Sequence, residues 1–216
     1  MTQATNPRLL DLFSGAGGCA KGYQLAGFHV TGVDIKAQPR YAGDEFIQGD
    51  ALKYLAAHGH EYDAIHASPP CQGYSKARHL QGNDHPMLVE AARELLQATG
   101  KPYVIENVQC APLINPITLV GSMFGLLTMR PRLFECNFPV PFVLAPPAAA
   151  KHAKMGRRPQ EGEYVHAVGH MSDVAYCGRA LEIDWMTQGE LAQAIPPSYC
   201  KFIGKHLMES LKEMAL

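Results

Sequence analysis

Three observations predict an α/β fold with a mostly parallel sheet. Short apolar runs alternate with helical patterns over roughly the first 138 residues, a glycine-rich turn follows the first run, and carboxylates or an isolated cysteine fall at the ends of later runs. Strands that alternate with helices bury both faces of a parallel sheet, and such sheets hold ligands beyond the carboxyl ends of their strands.

The elements follow in order. RLLDLFS (8–14) is an apolar run that stops at Gly15, and a short helix continues through Ala26. HVTGVDI (29–35) reads as the second strand, and EFIQGD (45–50), YDAIHAS (62–68) and PYVIENV (102–108) as further strands. Helical patterns occupy 51–57 and 86–98. After RLFECNF (132–138) the texture changes to PVPFVLAPPAAA, then to a basic, glycine-dotted stretch (151–180) with no clear period. Thr187 and Glu190 form a capping-box pattern for a helix that ends before Pro196, and Pro197 opens a last helix with Tyr199, Phe202, Ile203, Leu207, Leu211 and Met214 on one stripe. The expected organisation is a core (1–138), a small linker or recognition insert (139–184) and carboxy-terminal helices (185–216) that pack back on the core.

The chain has 216 residues, 47% hydrophobic and 18% charged, as in ordinary globular proteins. No apolar run reaches the ~18 residues of a membrane span, and the first residues lack a signal-peptide pattern, so the expected location is the cytoplasm. Six cysteines without a C-x-x-C pair are expected to be free thiols. His166 and His170 share i, i+4 spacing, but Gly169 and the lack of further ligands argue against a metal. A formal net charge of −1 gives no global pull on nucleic acid, and KHAKMGRR (151–158) is the one local basic stretch.

Gly15, Gly17 and Ala20 satisfy a G-x-G-x-x-G/A pattern, with Asp34 at the distance of a ribose-binding carboxylate. The pattern fits NAD, FAD or S-adenosylmethionine, and equally a plain tight turn. Asp50 either accepts from an adenine amino group or caps the next helix. Cys71, held between Pro69, Pro70 and Gly73, lies just past the fourth strand, and Glu106 just past the fifth. A carboxylate beside a thiol raises the thiol's pKa, so the pair does not read as a protease. It suits a nucleophile that adds to an electron-poor ring while an acid protonates that ring.

Taken together these residues resemble the DNA cytosine-5 methyltransferases. DLFSGAGG looks like the first cofactor motif, Asp34 and Asp50 take the second and third, PPCQGYS resembles the catalytic loop, ENV (106–108) the acid motif, RPRLF (130–134) the Arg-x-Arg motif, and WMTQGELAQAIPPSYCKFIG (185–204) the last two motifs run together. The resemblance implies the S-adenosylmethionine-dependent, Rossmann-like methyltransferase fold with a small recognition insert. It implies methyl transfer to C5 of a cytosine flipped out of DNA, through a covalent bond from Cys71 to C6, with Glu106, Asn107, Arg130 and Arg132 as its other catalytic residues. Phe13, Ser14, Gly15, Ala16, Gly17, Gly18, Asp34, Ile35, Asp50, Ala51, Pro69, Gln193 and Ala194 would bind S-adenosylmethionine. Gln72, Ser75, Lys151, Lys154, Arg157 and Arg158 would touch DNA; no metal is implied, and a monomer is expected. RNA or a free cytosine nucleotide is the alternative acceptor, and a non-catalytic DNA-binding relative the alternative class. Asp34, Thr128 and Gln193 stand where the family commonly has Glu, Gln and Asn, and the stretch before Trp185 is shorter than the family's usual recognition domain.

Overall fold

The computed structural model describes residues 6–70, 88–144, 151–154 and 157–214. Strand β1 (Arg8–Leu12) runs into α1 (Gly18–Leu25), followed by β2 (His29–Asp34), β3 (Glu45–Gln48), α2 (Ala51–His58) and β4 (Ala64–Ala67). Then come α3 (Val89–Ala98), β5 (Tyr103–Asn107), β6 (Ile117–Leu119), β7 (Arg132–Cys136), α4 (Val174–Leu181), α5 (Gln188–Gln193) and α6 (Pro197–Met214). The sheet order is β3-β2-β1-β4-β5-β7-β6. Strands β1 to β5 pair in parallel, whereas β7 runs antiparallel to both β5 and β6. The expected α/β, mostly parallel architecture is the one observed.

Each face of the sheet has its own cover. Leu10, Leu12, Val33, Ile65, Ala67 and Ile105 pack with Leu55 of α2 and Leu96 of α3. The alternate residues Leu9, Val30, Ala64 and Val104 pack with Tyr23 of α1 and with Tyr199, Ile203 and Leu207 of α6. The two helices approach closely because Gly22 leaves room: a Cβ there would lie 2.3 Å from the Pro197 carbonyl oxygen.

The stretch without a clear period contains a helix after all. Asp173 caps α4 by accepting from the Tyr176 N–H, and Tyr176, Cys177, Ala180 and Leu181 are buried. Val165, Ala167 and Met171 join them with Leu191 and Ala194, so this third apolar cluster runs across the boundary expected at 184. The signal was present in Asp173 followed by apolar positions 174, 177 and 181, but the surrounding glycines and charges obscured it. The capping box is formed as read: Thr187 Oγ1 accepts from the Glu190 N–H, and Glu190 accepts from the Thr187 N–H.

Candidate active site

The chain doubles back after β1 through a turn that only glycine adopts cheaply. Gly17, the N-cap of α1, has φ 83°, and a Cβ on it would lie 2.8 Å from the Ala42 backbone nitrogen. The turn opens one wall of a cavity of about 750 Å³. Phe13, Ser14, Gly15, Ala16, Gly18, Asp34, Ile35, Asp50, Ala51, Pro69, Gln193 and Ala194 all line it; Gly17 does not, because its work is the turn. Asp34 is fixed by two backbone donors, the Gly15 N–H at 3.0 Å and the Lys36 N–H at 2.9 Å. Asp50 caps α2 through Oδ1, accepting from Leu52 and Lys53, while it also borders the cavity. The helix-cap reading of Asp50 is the one its hydrogen bonds show.

The carboxy-terminal segment forms the opposite wall. Trp185 donates its indole N–H to the Ala16 carbonyl at 2.9 Å, which ties the glycine turn to a residue 169 positions away. Arg40, past β2, makes a two-point ion pair with Glu190 of α5 at 2.8 and 2.9 Å, and holds the Glu190 carboxyl down to about 2. Met186, Gly189 and Glu190 all border the cavity. Arg40, Lys36, Gln38 and Ser68 were not named as site residues from the sequence, and Glu190 was read there only as part of the capping box.

At the inner end stand two buried acids. Glu106 lies inside the last turn of β5's pairing rather than beyond it, opposite Phe134 of β7. The residue is 4% exposed, and burial pushes the carboxyl above its ordinary value against the opposing pull of Arg132, the Ser68 hydroxyl and Arg130. The Arg132 Nε lies 3.2 Å from Glu106 Oε1, a charge contact that does not meet the angles of a hydrogen bond. Asp11 is buried with neither carboxylate oxygen hydrogen-bonded, and burial pushes it up to about 8. Both acids border the cavity.

Two expected site residues have structural partners. Arg130 is buried and donates to the carbonyls of Ala167, Leu191, Ala192 and Ala194, so its fork ties α5 to the loop before α4. Asn107 donates to the Pro69 carbonyl at 2.9 Å and so anchors the start of the segment that leads to Cys71. Cys71, Gln72 and Ser75 themselves lie outside the described residues. In the basic stretch, Lys151, Lys154 and Arg158 are exposed, but Arg157 is committed to Glu163 at 2.6 Å, which weakens its case as a phosphate contact. Among the described residues the cluster able to hold a metal is Cys19, His66 and Cys200, all buried, and neither His166 nor His170 belongs to it.

A parallel sheet with a glycine turn after β1, carboxylates after β2 and β3 and an antiparallel pair at its far edge defines the methyltransferase class of α/β fold. Solved structures agree on that fold. A protein encoded within an E. coli prophage and assigned as a DNA modification methyltransferase superposes with a TM-score of 0.65 at 16% identity, over 95% of this chain and 99% of its own. The S. pombe Dnmt2 methyltransferase does so with a TM-score of 0.62 at 14% identity, over the same shares.

Residues 7–111 match the sequence family described as C-5 cytosine-specific DNA methylase. It is 31% identical to the type II methyltransferase M.AquIA of Picosynechococcus, over 47% of this chain and 48% of the relative. It is 30% identical to M.NgoPII of Neisseria gonorrhoeae, over 78% of this chain and 50% of the relative. The chain thus spans about half the length of these two relatives.

Proposed function

We propose that this chain transfers a methyl group from S-adenosylmethionine to C5 of cytosine in DNA, as a type II modification enzyme working as a monomer in the cytoplasm. The observation that carries the reading is a single cavity that joins the nucleoside-type carboxylate Asp34 to the buried acid Glu106 and its Arg132 partner. The same cavity fits the cofactor. Asp34 and Asp50 are placed for hydroxyl and amino donors, the glycine turn admits close backbone approach, and the unpartnered Asp11 carboxylate faces a region that a cation would compensate. When bound, the cofactor supplies the electrophilic methyl group.

The chain's own residues supply the rest. Cytosine C5 is a weak nucleophile, so the Cys71 thiolate adds to C6 and the electron pair passes to N3, where Glu106 delivers its proton. Burial raises the hold of Glu106 on that proton above an ordinary carboxyl's. Arg132 then faces the carboxylate that forms and limits its charge cost. After methylation the C5 proton is lost to solvent, its bond pair re-forms C5=C6 and expels the Cys71 thiolate, and the N3 proton returns to Glu106. Asn107 steadies the loop through Pro69, and Arg130 holds α5 against the cavity without touching the base. C5 and C6 are stacked inside a duplex, so the target base is flipped into the cavity. Lys151, Lys154 and Arg158 meet phosphates, with Gln72 and Ser75 nearer the base.

Incubation with tritiated S-adenosylmethionine and separate DNA, RNA and dCTP acceptors tests the reading. Label in 5-methylcytosine from DNA is expected, together with trapping of Cys71 on 5-fluorocytosine DNA. Label confined to RNA or dCTP selects the alternative acceptors, and donor binding without transfer to any acceptor selects a non-catalytic relative.

A further inference from the structure

His66 is the buried group that the proposed chemistry leaves unused. It sits on β4 beside Asp11 of β1 in the strand register, fully buried on the same sheet face as Glu106. Burial pushes its imidazole down to about 3, so it is neutral and carries one N–H. Both ring nitrogens are engaged: Nδ1 with the Tyr23 hydroxyl at 2.9 Å, and Nε2 with the Ser68 hydroxyl at 2.8 Å. Ser68 borders the cavity with Glu106, and its hydroxyl pulls the carboxyl's value down. Cys19 and Cys200 lie close by, their sulfur atoms within 4.8 Å of each other and of a His66 ring nitrogen.

The direction of this chain follows from its end. Glu106, when ionised, is an acceptor only, so Ser68 must give it the one hydroxyl proton it has. Ser68 then accepts from His66, which requires the Nε2–H tautomer. That tautomer leaves Nδ1 to accept from Tyr23. From the phenol to Ser68, every donor points the same way. Cys19 and Cys200, whose donor atoms lie within 4.8 Å of one another and of the His66 ring, pack beside this chain. A cation there would have to displace a hydroxyl from His66 and deprotonate thiols that burial pushes upward.

We infer that Tyr23, His66 and Ser68 are positioning residues, a one-directional hydrogen-bond chain that aims the Ser68 hydroxyl at Glu106 and lets this otherwise desolvated acid release its proton. The inference rests on the reading of Glu106 as the acid. Glu106 is also faced by Arg132 and Arg130 at β7, Asp11 on β1, Cys19 on α1, and Tyr199 and Cys200 on α6. The described groups other than Ser68 are unchanged in a Ser68 variant, so a shift in Glu106 on altering Ser68 reports the hydroxyl.

The test reads Glu106 directly, without DNA or donor. In protein labelled with carboxyl-¹³C glutamate, the Glu106 resonance is identified by its loss in Glu106→Gln. Its titration midpoint should rise by about one pH unit in Ser68→Ala and return in Ser68→Thr. Nitrogen-15 spectra of the wild type should show His66 neutral with the proton on Nε2 from pH 5 to 8. The alkaline limb of kcat/KM for methyl transfer should move with the carboxyl midpoint. A midpoint that falls or stays in Ser68→Ala, or a proton found on Nδ1, overturns the inference. Absence of methyl transfer with the midpoint still displaced removes the methyltransferase reading and leaves the chain standing.

Discussion

The two faces of the sheet are built from the same strands and differ in what they bury. Toward α2 and α3, the inward residues of β1, β2, β4 and β5 are uncharged: Leu10, Leu12, Val33, Ile65, Ala67 and Ile105 are apolar, with Thr31 and Asn107 the polar members. Toward α1 and α6, the first inward positions are apolar too, Leu9, Ala64 and Val104, but two residues further along each strand the side chains are Asp11, His66 and Glu106. The side-chain period of two places all three on one face, at the carboxyl ends of adjacent parallel strands. One face therefore carries stability, while the other gives up part of its burial to hold charge beside the cavity. Unpaired or weakly paired buried acids are costly to the apo fold and useful only toward a ligand.

Substitutions on the two faces should separate accordingly. The largest effect is expected from Glu106→Gln, which should lower turnover ~10²- to 10⁴-fold while the thermal midpoint stays near that of the wild type. Single-turnover methyl transfer and calorimetry on one preparation check this, and near-normal turnover would make Glu106 a structural acid. On the apolar face, Leu55→Ala should cost about 2–5 kcal/mol in urea unfolding with turnover per folded molecule unchanged. A matching loss of activity without loss of stability would erase the distinction between the faces.

Asp11 should reveal its face through pH. Its folded value, about 8, lies above its ordinary 3.8, so between these the folded protein keeps a proton that the unfolded chain has released. Stability from this group is complete below about 4 and declines as pH rises toward 8, by at most ~1.4 kcal/mol per unit. Asp11→Asn removes the decline. Relative to the variant, the wild type should lose about 2 kcal/mol between pH 5 and 7 in urea unfolding. His66 acts in the opposite sense, since its folded value of about 3 makes stability fall as pH drops below 6.5, but it is present in both proteins and cancels. Equal pH slopes would show that Asp11 is ionised or relieved.

The smallest effect belongs to the cavity's outer wall. Arg40→Ala breaks the pair with Glu190, and because Arg40 is solvent-exposed, S-adenosylmethionine affinity should weaken only about threefold, and less at high salt. A calorimetric loss far beyond that would mean the wall closes through this pair.

Much of this molecule is local and so was legible in one dimension. Apolar runs and their breaks locate the first five strands, Gly17 is needed for a backbone turn, and Thr187 with Glu190 announces a helix start because capping acts within four residues. The strand-end positions of Asp34, Asp50 and Glu106 follow from the same alternation. What tertiary structure alone decided is which groups meet. Arg130 and Arg132 share one motif, yet Arg130, at φ 33° just before β7, turns to the carbonyls around α5 while Arg132 reaches Glu106. Arg40 meets Glu190 across 150 positions, and His66 becomes a neutral relay only because α1 brings Tyr23 over β4. Hydrogen-bond direction, desolvation and ion pairing depend on neighbours that the fold brings together from distant parts of the chain, and no local pattern encodes them.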